Sequence, residues 1–221
     1  MNLNQLKFKH PFNMIISGMT QSGKTIFVSR LIKNWKNLLK INKNELKILF
    51  CYKENHPNLF AKNVEFIYYK NLPNLSDLKK FSPDIVVLDD LMTEVNLEIC
   101  ELFTVHSHAL EISVIFIVQN LFNKNKFMRT ISLNSHYFVI MKGIRNENQV
   151  ELLARQTFGK KSKNVLEAFK FATQEPYGYL VFDFHPNTNR ELILRTRIFE
   201  EEVPPSLARK HSFAPIYFDI S

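Results

Sequence analysis

Apolar and polar positions along this chain fall into blocks of two kinds. The first kind is short and almost continuously apolar. It comprises Phe12 to Ser17, Leu46 to Tyr52, Val64 to Tyr69, Ile85 to Leu88, Ile112 to Val118, Tyr137 to Met141 and Tyr177 to Phe184. Runs of this length with no polar alternation predict strands buried on both faces. The second kind repeats at helical spacing. Ile26, Phe27, Leu31 and Ile32 lead on to Trp35, Leu38 and Leu39, and Val95, Ile99, Leu102 and Phe103 form a stripe. Asn146 to Phe158 and Lys163 to Ala172 predict two further helices around Gly159-Lys160-Lys161-Ser162, and a Leu/Lys segment between Pro73 and Pro83 predicts a short one.

Alternating strands and helices predict an α/β fold with a largely parallel sheet covered on both faces. Two strands, Tyr177 to Phe184 and Glu191 to Phe199, flank the turn-rich His185 to Asn189 and predict a C-terminal hairpin. The expected organisation is a polar, basic arm over 1–11, one domain over 12–199, and a tail over 200–221 opened by Pro204-Pro205.

Composition narrows this picture only at two points. Lys and Arg outnumber Asp and Glu by 29 to 21, a net charge of +8 that suits a polyanionic partner. Cys51 and Cys100 lie in apolar segments without metal-ligand spacing, so buried free thiols in a reducing compartment are expected. No signal-like segment and no run long enough for a membrane span is visible, so the expectation is an intracellular, soluble protein without a membrane partner.

The chemistry concentrates after the first strand. Gly18-Met19-Thr20-Gln21-Ser22-Gly23-Lys24-Thr25 fits the P-loop pattern, with strand before and helix after. Its glycines let backbone N–H groups converge on phosphate oxygens at a helix N-terminus. The nucleotide-binding set is therefore Gly18, Met19, Thr20, Gln21, Ser22, Gly23, Lys24, Thr25 and Ile26. Lys24 is expected on the β- and γ-phosphates and the Thr25 hydroxyl on Mg²⁺. Ile85-Val86-Val87-Leu88-Asp89-Asp90 makes a Walker B pattern, in which Asp89 would hold the Mg²⁺ and Asp90 would polarise the attacking water. Asp90 could also be a helix cap or loop carboxylate. Gln119 ends the next strand, where a side-chain amide can reach the γ-phosphate.

Slow hydrolysis at such sites usually awaits an arginine, and Arg129, Arg145 and Arg155 are the candidates. Asn123-Lys124-Asn125-Lys126 departs from the guanine-reading pattern at its fourth residue, where lysine cannot accept the guanine hydrogen bonds. His106 and His108 lack an evident third ligand, which favours a surface role over metal binding. Lysine-rich loops at Lys124 to Arg129 and at Lys160, Lys161 and Lys163 could track a phosphate backbone.

Taken together, the pattern resembles the FtsK/HerA-type genome-packaging ATPases of double-stranded DNA viruses, and looks closest to those of Polinton/Maverick and adintovirus-like elements. The resembling stretches are Ile16 to Thr25, Ile85 to Asp90, Leu102-Phe103-Thr104 with Ser107-His108, and Val114 to Phe122. Met128 to Asn134, Leu153 to Gln156 and Tyr177 to Leu180 complete them. The resemblance implies an additional-strand (RecA/FtsK-like) P-loop core, ATP and Mg²⁺ as cofactors, and a homo-oligomeric ring. It further implies movement of double-stranded DNA into a viral capsid or portal vertex, inside an infected cell or in association with the virion. By position it assigns phosphate binding to Lys24 and Thr25, metal binding to Asp89, the catalytic carboxylate to Asp90 and sensing to Gln119. Many members of that class carry Glu where this chain has Asp90, and Glu94 is a weaker substitute. A nucleoside or small-molecule kinase, or a nucleotide-dependent DNA-binding subunit without turnover, are the alternatives; no arginine-dense lid supports the kinase.

Overall fold

A computed structural model describes residues 7–54, 57–122, 125–202 and 215–219. The chain enters through β1 (Phe8–Lys9), β2 (Asn13–Ser17), α1 (Lys24–Lys33), α2 (Trp35–Leu38) and β3 (Leu39–Lys40). It continues through β4 (Leu46–Tyr52), β5 (Val64–Lys70), α3 (Leu75–Phe81) and β6 (Ile85–Asp89). Next come α4 (Leu97–Glu101) and α5 (Ser107–Ala109), joined by a π-helical turn over Leu102–His106, and then β7 (Ser113–Val118). The remainder is α6 (Lys126–Leu133), β8 (Tyr137–Met141), α7 (Ile144–Phe158), α8 (Ser162–Ala172), β9 (Tyr179–Asp183), β10 (Leu194–Thr196) and β11 (Ile216–Tyr217).

Nine of these strands form one sheet in the order β11-β10-β9-β8-β2-β7-β6-β4-β5. From β8 to β5 every pairing is parallel, and from β8 outward through β9, β10 and β11 it is antiparallel. The P-loop strand β2 thus lies at the centre, paired with β7 on one side and β8 on the other. β7 also separates it from β6, the strand that ends in Asp89. This inserted strand is the additional-strand arrangement, and the antiparallel edge contains the expected hairpin.

Alternation across the pleat sorts each central strand between two cores. Met14 and Ile16, Val87, Ile115 and Ile117 face the layer made by Phe27, Val28, Leu31, Ile32 and Trp35 of α1 and α2. Ile15, Val86, Leu88, Val114 and Phe116 face the opposite layer, built from Leu78, Ile99, Met128, Val150 and Phe169 of α3, α4, α6, α7 and α8. Both cysteines are buried and free.

Several details depart from the sequence pattern. The basic stretch expected as a loop is helical from Lys126. Asn125 caps it by accepting from the Phe127 N–H at 2.9 Å, and Met128 and Ile131 form its buried stripe. Residues 123 and 124 of that stretch lie outside the described residues. Ile26 is not part of the buried stripe of α1 but 55% exposed, and that helix stops at Asn34. β10 is shorter than the expected 191–199 run, because Arg197 takes a positive φ of 52° and turns Ile198 and Phe199 into the core. Within the expected arm, Phe8 and Lys9 pair with Leu39 and Lys40; within the expected tail, Ile216 and Tyr217 pair with Thr196 and Arg195.

Arg195 is a buried charge. Its guanidinium lies 3.3 Å from the Asp183 carboxylate and 4.5 Å from the Phe8 ring centroid, with both charged side chains under 5% exposed. Removing one member of such a pair costs about 3–5 kcal/mol, because the other charge stays buried and uncompensated.

At the same end of the sheet, His136 Nδ1 accepts from the Asn13 N–H at 3.0 Å, and its ring lies within 6 Å of those of His108 and His185. Burial first, then the two neighbouring imidazoles, lower its pKa from 6.5 to about 4. A depressed histidine stabilises the fold above its unfolded pKa and loses that contribution as pH falls from 6.5 toward 4. The melting temperature should therefore drop between pH 7 and pH 4.5. His136→Asn, which keeps an acceptor for Asn13 without a titrating ring, should flatten that drop in a thermal melt series.

Candidate active site

The carboxyl ends of β2, β6, β7 and β8 meet at one edge of the sheet, the usual place for a ligand crevice in an α/β fold. β2 ends at Ser17, and Gly18 follows with its N–H donating to the Val118 carbonyl at 3.2 Å. A Cβ on Gly18 would stand 2.5 Å from Ser22 Oγ and 2.8 Å from Met141 Cβ, so only glycine fits between loop and β8. Gln21 and Gly23 both take positive φ, 63° and 96°, and turn the loop back over the strand end. Such a turn lets consecutive N–H groups face one concavity. Ser22 Oγ is buried there with no hydrogen-bond partner.

Lys24 opens α1 and folds back over this loop, donating to the carbonyls of Gly18 at 2.6 Å and Met19 at 2.8 Å. Its burial lowers its pKa, opposed by the nearby Asp89 and Asp90 carboxylates. The Thr25 hydroxyl lies near enough to the Asp89 carboxylate to favour its charged form. Burial and the adjacent Asp90 raise the Asp89 pKa, while Lys24 and Thr25 work against that rise. Asp90 is exposed and takes a positive φ of 55°, just before the fully buried Leu91. Glu94 is engaged elsewhere, in an ion pair with Lys53 at 3.0 Å.

Gln119 and Asn120, both exposed, follow β7 and line a 650 Å³ cleft with Met19 and Thr20 on one wall and Arg145 and Leu152 on the other. Among the candidate arginines, only Arg145 lines this cleft. Arg129 is exposed on α6, and Arg155 pairs with Glu151 at 2.6 Å on α7. Asn125 of the guanine-like stretch is occupied as the cap of α6 and also donates to Val95 O. His106 and His108 lie at the other end of their strand connection, and no cluster of three possible metal ligands occurs among the described residues.

Two features of the edge escape a reading of the sequence. On the far side of α1, Tyr177 stands over the P-loop: a Cβ on Gly23 would lie 2.9 Å from its ring. Tyr177 is 59% exposed with a positive φ of 60°, and with Ile26, Phe171 and Arg197 it lines a 500 Å³ pocket. The second is a buried amide pair, Asn146 and Gln149, that forms part of the cleft lining. The only hint was two polar residues three apart on the buried stripe of α7.

An oxygen-only pair, Thr25 Oγ1 and the Asp89 carboxylate, is chemically suited to a hard divalent cation. Burial first, and the adjacent Asp90 second, disfavour the charged form of Asp89, and a bound cation would offset both.

Gly18→Ala should abolish nucleotide binding while α1 and the sheet remain folded. The check is a fluorescent-nucleotide titration beside a circular dichroism spectrum.

No protein-family model and no curated protein matches this sequence. Among solved structures, the chain is similar to the genome packaging NTPase B204 of Sulfolobus turreted icosahedral virus 2. Its sulfate complex aligns with a TM-score of 0.51 at 12% identity, over 84% of this chain and 95% of that one. Its ATP-gammaS complex gives 0.50 at 12% identity, over 89% and 98%. Identity this low speaks to architecture, and on architecture the chain is a P-loop NTPase fold of the additional-strand type.

Proposed function

We propose that this chain is an ATP-hydrolysing DNA translocase that moves a double-stranded viral genome into a capsid, with residues 12–199 as the ATPase domain. The observation that carries the reading is the convergence of Lys24, Thr25, Asp89 and Asp90 on one glycine-gated loop. The likeness in fold to B204, a packaging NTPase by name, and the net charge of +8 support the DNA end of it.

In this reading Gly18 to Ile26 cradle the phosphates, with Lys24 exchanging its loop carbonyls for β- and γ-phosphate oxygens. Thr25 and Asp89 hold Mg²⁺, which supplies positive charge against the phosphates when bound. Asp90 polarises the attacking water, and Gln119 reports on the γ-phosphate from the cleft. Tyr177 and Ile26, which line the pocket beside α1, would take the base. Arg145 and, from another element, Arg129 are the cations available to a neighbouring subunit's nucleotide in a homo-oligomeric ring. The partners are duplex DNA and a capsid or portal vertex in an infected cell. The Polinton/Maverick kinship belongs to this same proposal.

The deciding measurement is steady-state ATPase rate with and without duplex DNA, alongside the mass of the assembly. DNA should stimulate turnover, Lys24→Ala should abolish it, and Asp90→Asn should bind ATP yet lose roughly 10²–10⁴-fold in rate. Unchanged turnover in Lys24→Ala would remove the site. Tight binding without turnover on DNA would make the chain a nucleotide-dependent DNA-binding subunit. Tyr177→Ala should weaken ATP binding roughly tenfold or more, the range of a lost base–aromatic stack, and leave inorganic tripolyphosphate binding intact.

A further inference from the structure

In the lining of the cleft, one hydrogen-bonded chain centred on Asn146 and Gln149 ties together the ends of three strands and the start of a helix. Gln149 Oε1 accepts from Ser17 Oγ at 3.0 Å and from the Leu121 N–H at 2.7 Å. Gln149 Nε2 donates to Asn146 Oδ1 at 2.8 Å, and Asn146 Nδ2 donates to Met141 O at 2.8 Å. The orientation of both amides is forced. A backbone N–H can only donate, so oxygen must face Leu121, and a carbonyl can only accept, so nitrogen must face Met141. Asn146 is fully buried and Gln149 is 8% exposed, so water has little access to replace these bonds.

Each anchor of this chain adjoins a part of the site. Ser17 directly precedes Gly18, Leu121 lies two residues after Gln119, and Met141 is the side chain that closes on Gly18. Asn146 follows Arg145 on α7. Gln119 and Asn120 are exposed, and the Leu121 N–H is the first backbone donor after them to be held from below.

We infer that Gln149 is a positioning residue, acting through the Leu121 N–H and Ser17 to hold the Gln119–Asn120 loop and the Arg145 helix end in fixed register with the P-loop. This rests on the nucleotide-hydrolysis reading above. Gln149 reaches the phosphate cradle of Gly18 to Thr25 only through Ser17, whose backbone is already held by β7 and β8 on either side. Its loss therefore moves the groups that face the γ-phosphate and leaves the groups that bind the rest of the nucleotide.

The test uses Gln149→Met, which keeps the length but donates nothing and accepts at most weakly. ATP turnover and hydrogen exchange are measured on the full chain. Gln149→Met should lower kcat by on the order of 10- to 100-fold, the scale for an ångström-level displacement of a reacting group, with ATP affinity within about threefold. In Gln149→Met the backbone of 119–122 should exchange faster while that of α1 is unchanged. Should that variant not fold, Ser17→Ala must show the same split of kcat from affinity at smaller amplitude. Equal kcat with unchanged exchange, or kcat and affinity falling together, overturns the assignment. A wild-type chain without turnover defeats the hydrolysis reading instead, and the exchange of 119–122 then decides the role of Gln149 alone.

Discussion

The site depends on one steric constraint: the backbone at Gly18 must leave the centre of the sheet with no side chain at all. β2 is paired on both sides, to β7 and β8, and all five of its residues are buried. The chain emerging from it is pressed between Met141 of β8 and Ser22 of its own loop. That pressure places the loop directly above the strand ends, where Lys24 can fold back over it and where the β6 and β7 ends already converge. Close packing transmits position with little slack, so the register of the central strands is also the geometry of the site.

Charge is then distributed around that edge by burial. Asp89 is half-buried and its pKa is raised, whereas Asp90 is turned outward by a left-handed backbone. Two neighbouring carboxylates thus occupy distinct environments, one suited to holding a cation with Thr25 and one open to solvent. Separation of paired acids by environment is the general way one site assigns different tasks to chemically identical groups. Tyr177 stands over Gly23 and, with Ile26, walls a second pocket beside α1.

Much of this was legible in the chain itself. The strand bounds at Leu46–Tyr52 and Ile85–Asp89 follow from dense apolar runs, and the loop pattern announced its own strand and helix. Local pattern does not encode spatial order: that β7 intervenes between β2 and β6, although it follows both in sequence, was expected only through the resemblance. Lysine and asparagine hid α6, whose two buried residues became a stripe only once Asn125 supplied a cap. Tyr177 and Gln149 reach the site over long sequence separations, which no local pattern encodes. The roles given to the arginines likewise depend on where helices end, and only Arg145 reaches the cleft.

The sheet order has a consequence for how the chain is made. β2 is synthesised early, yet its partners begin at Val114 and Tyr137, about a hundred residues later on the ribosome. β4, β5 and β6 can pair among themselves first, being close in sequence. Meanwhile Met14, Ile15 and Ile16 have no strand to lie against. Long-range parallel pairing is slow for this reason and leaves apolar edges open to other chains. A sheet centred on β2 must therefore keep that strand from the wrong partner until the chain has been made through β8.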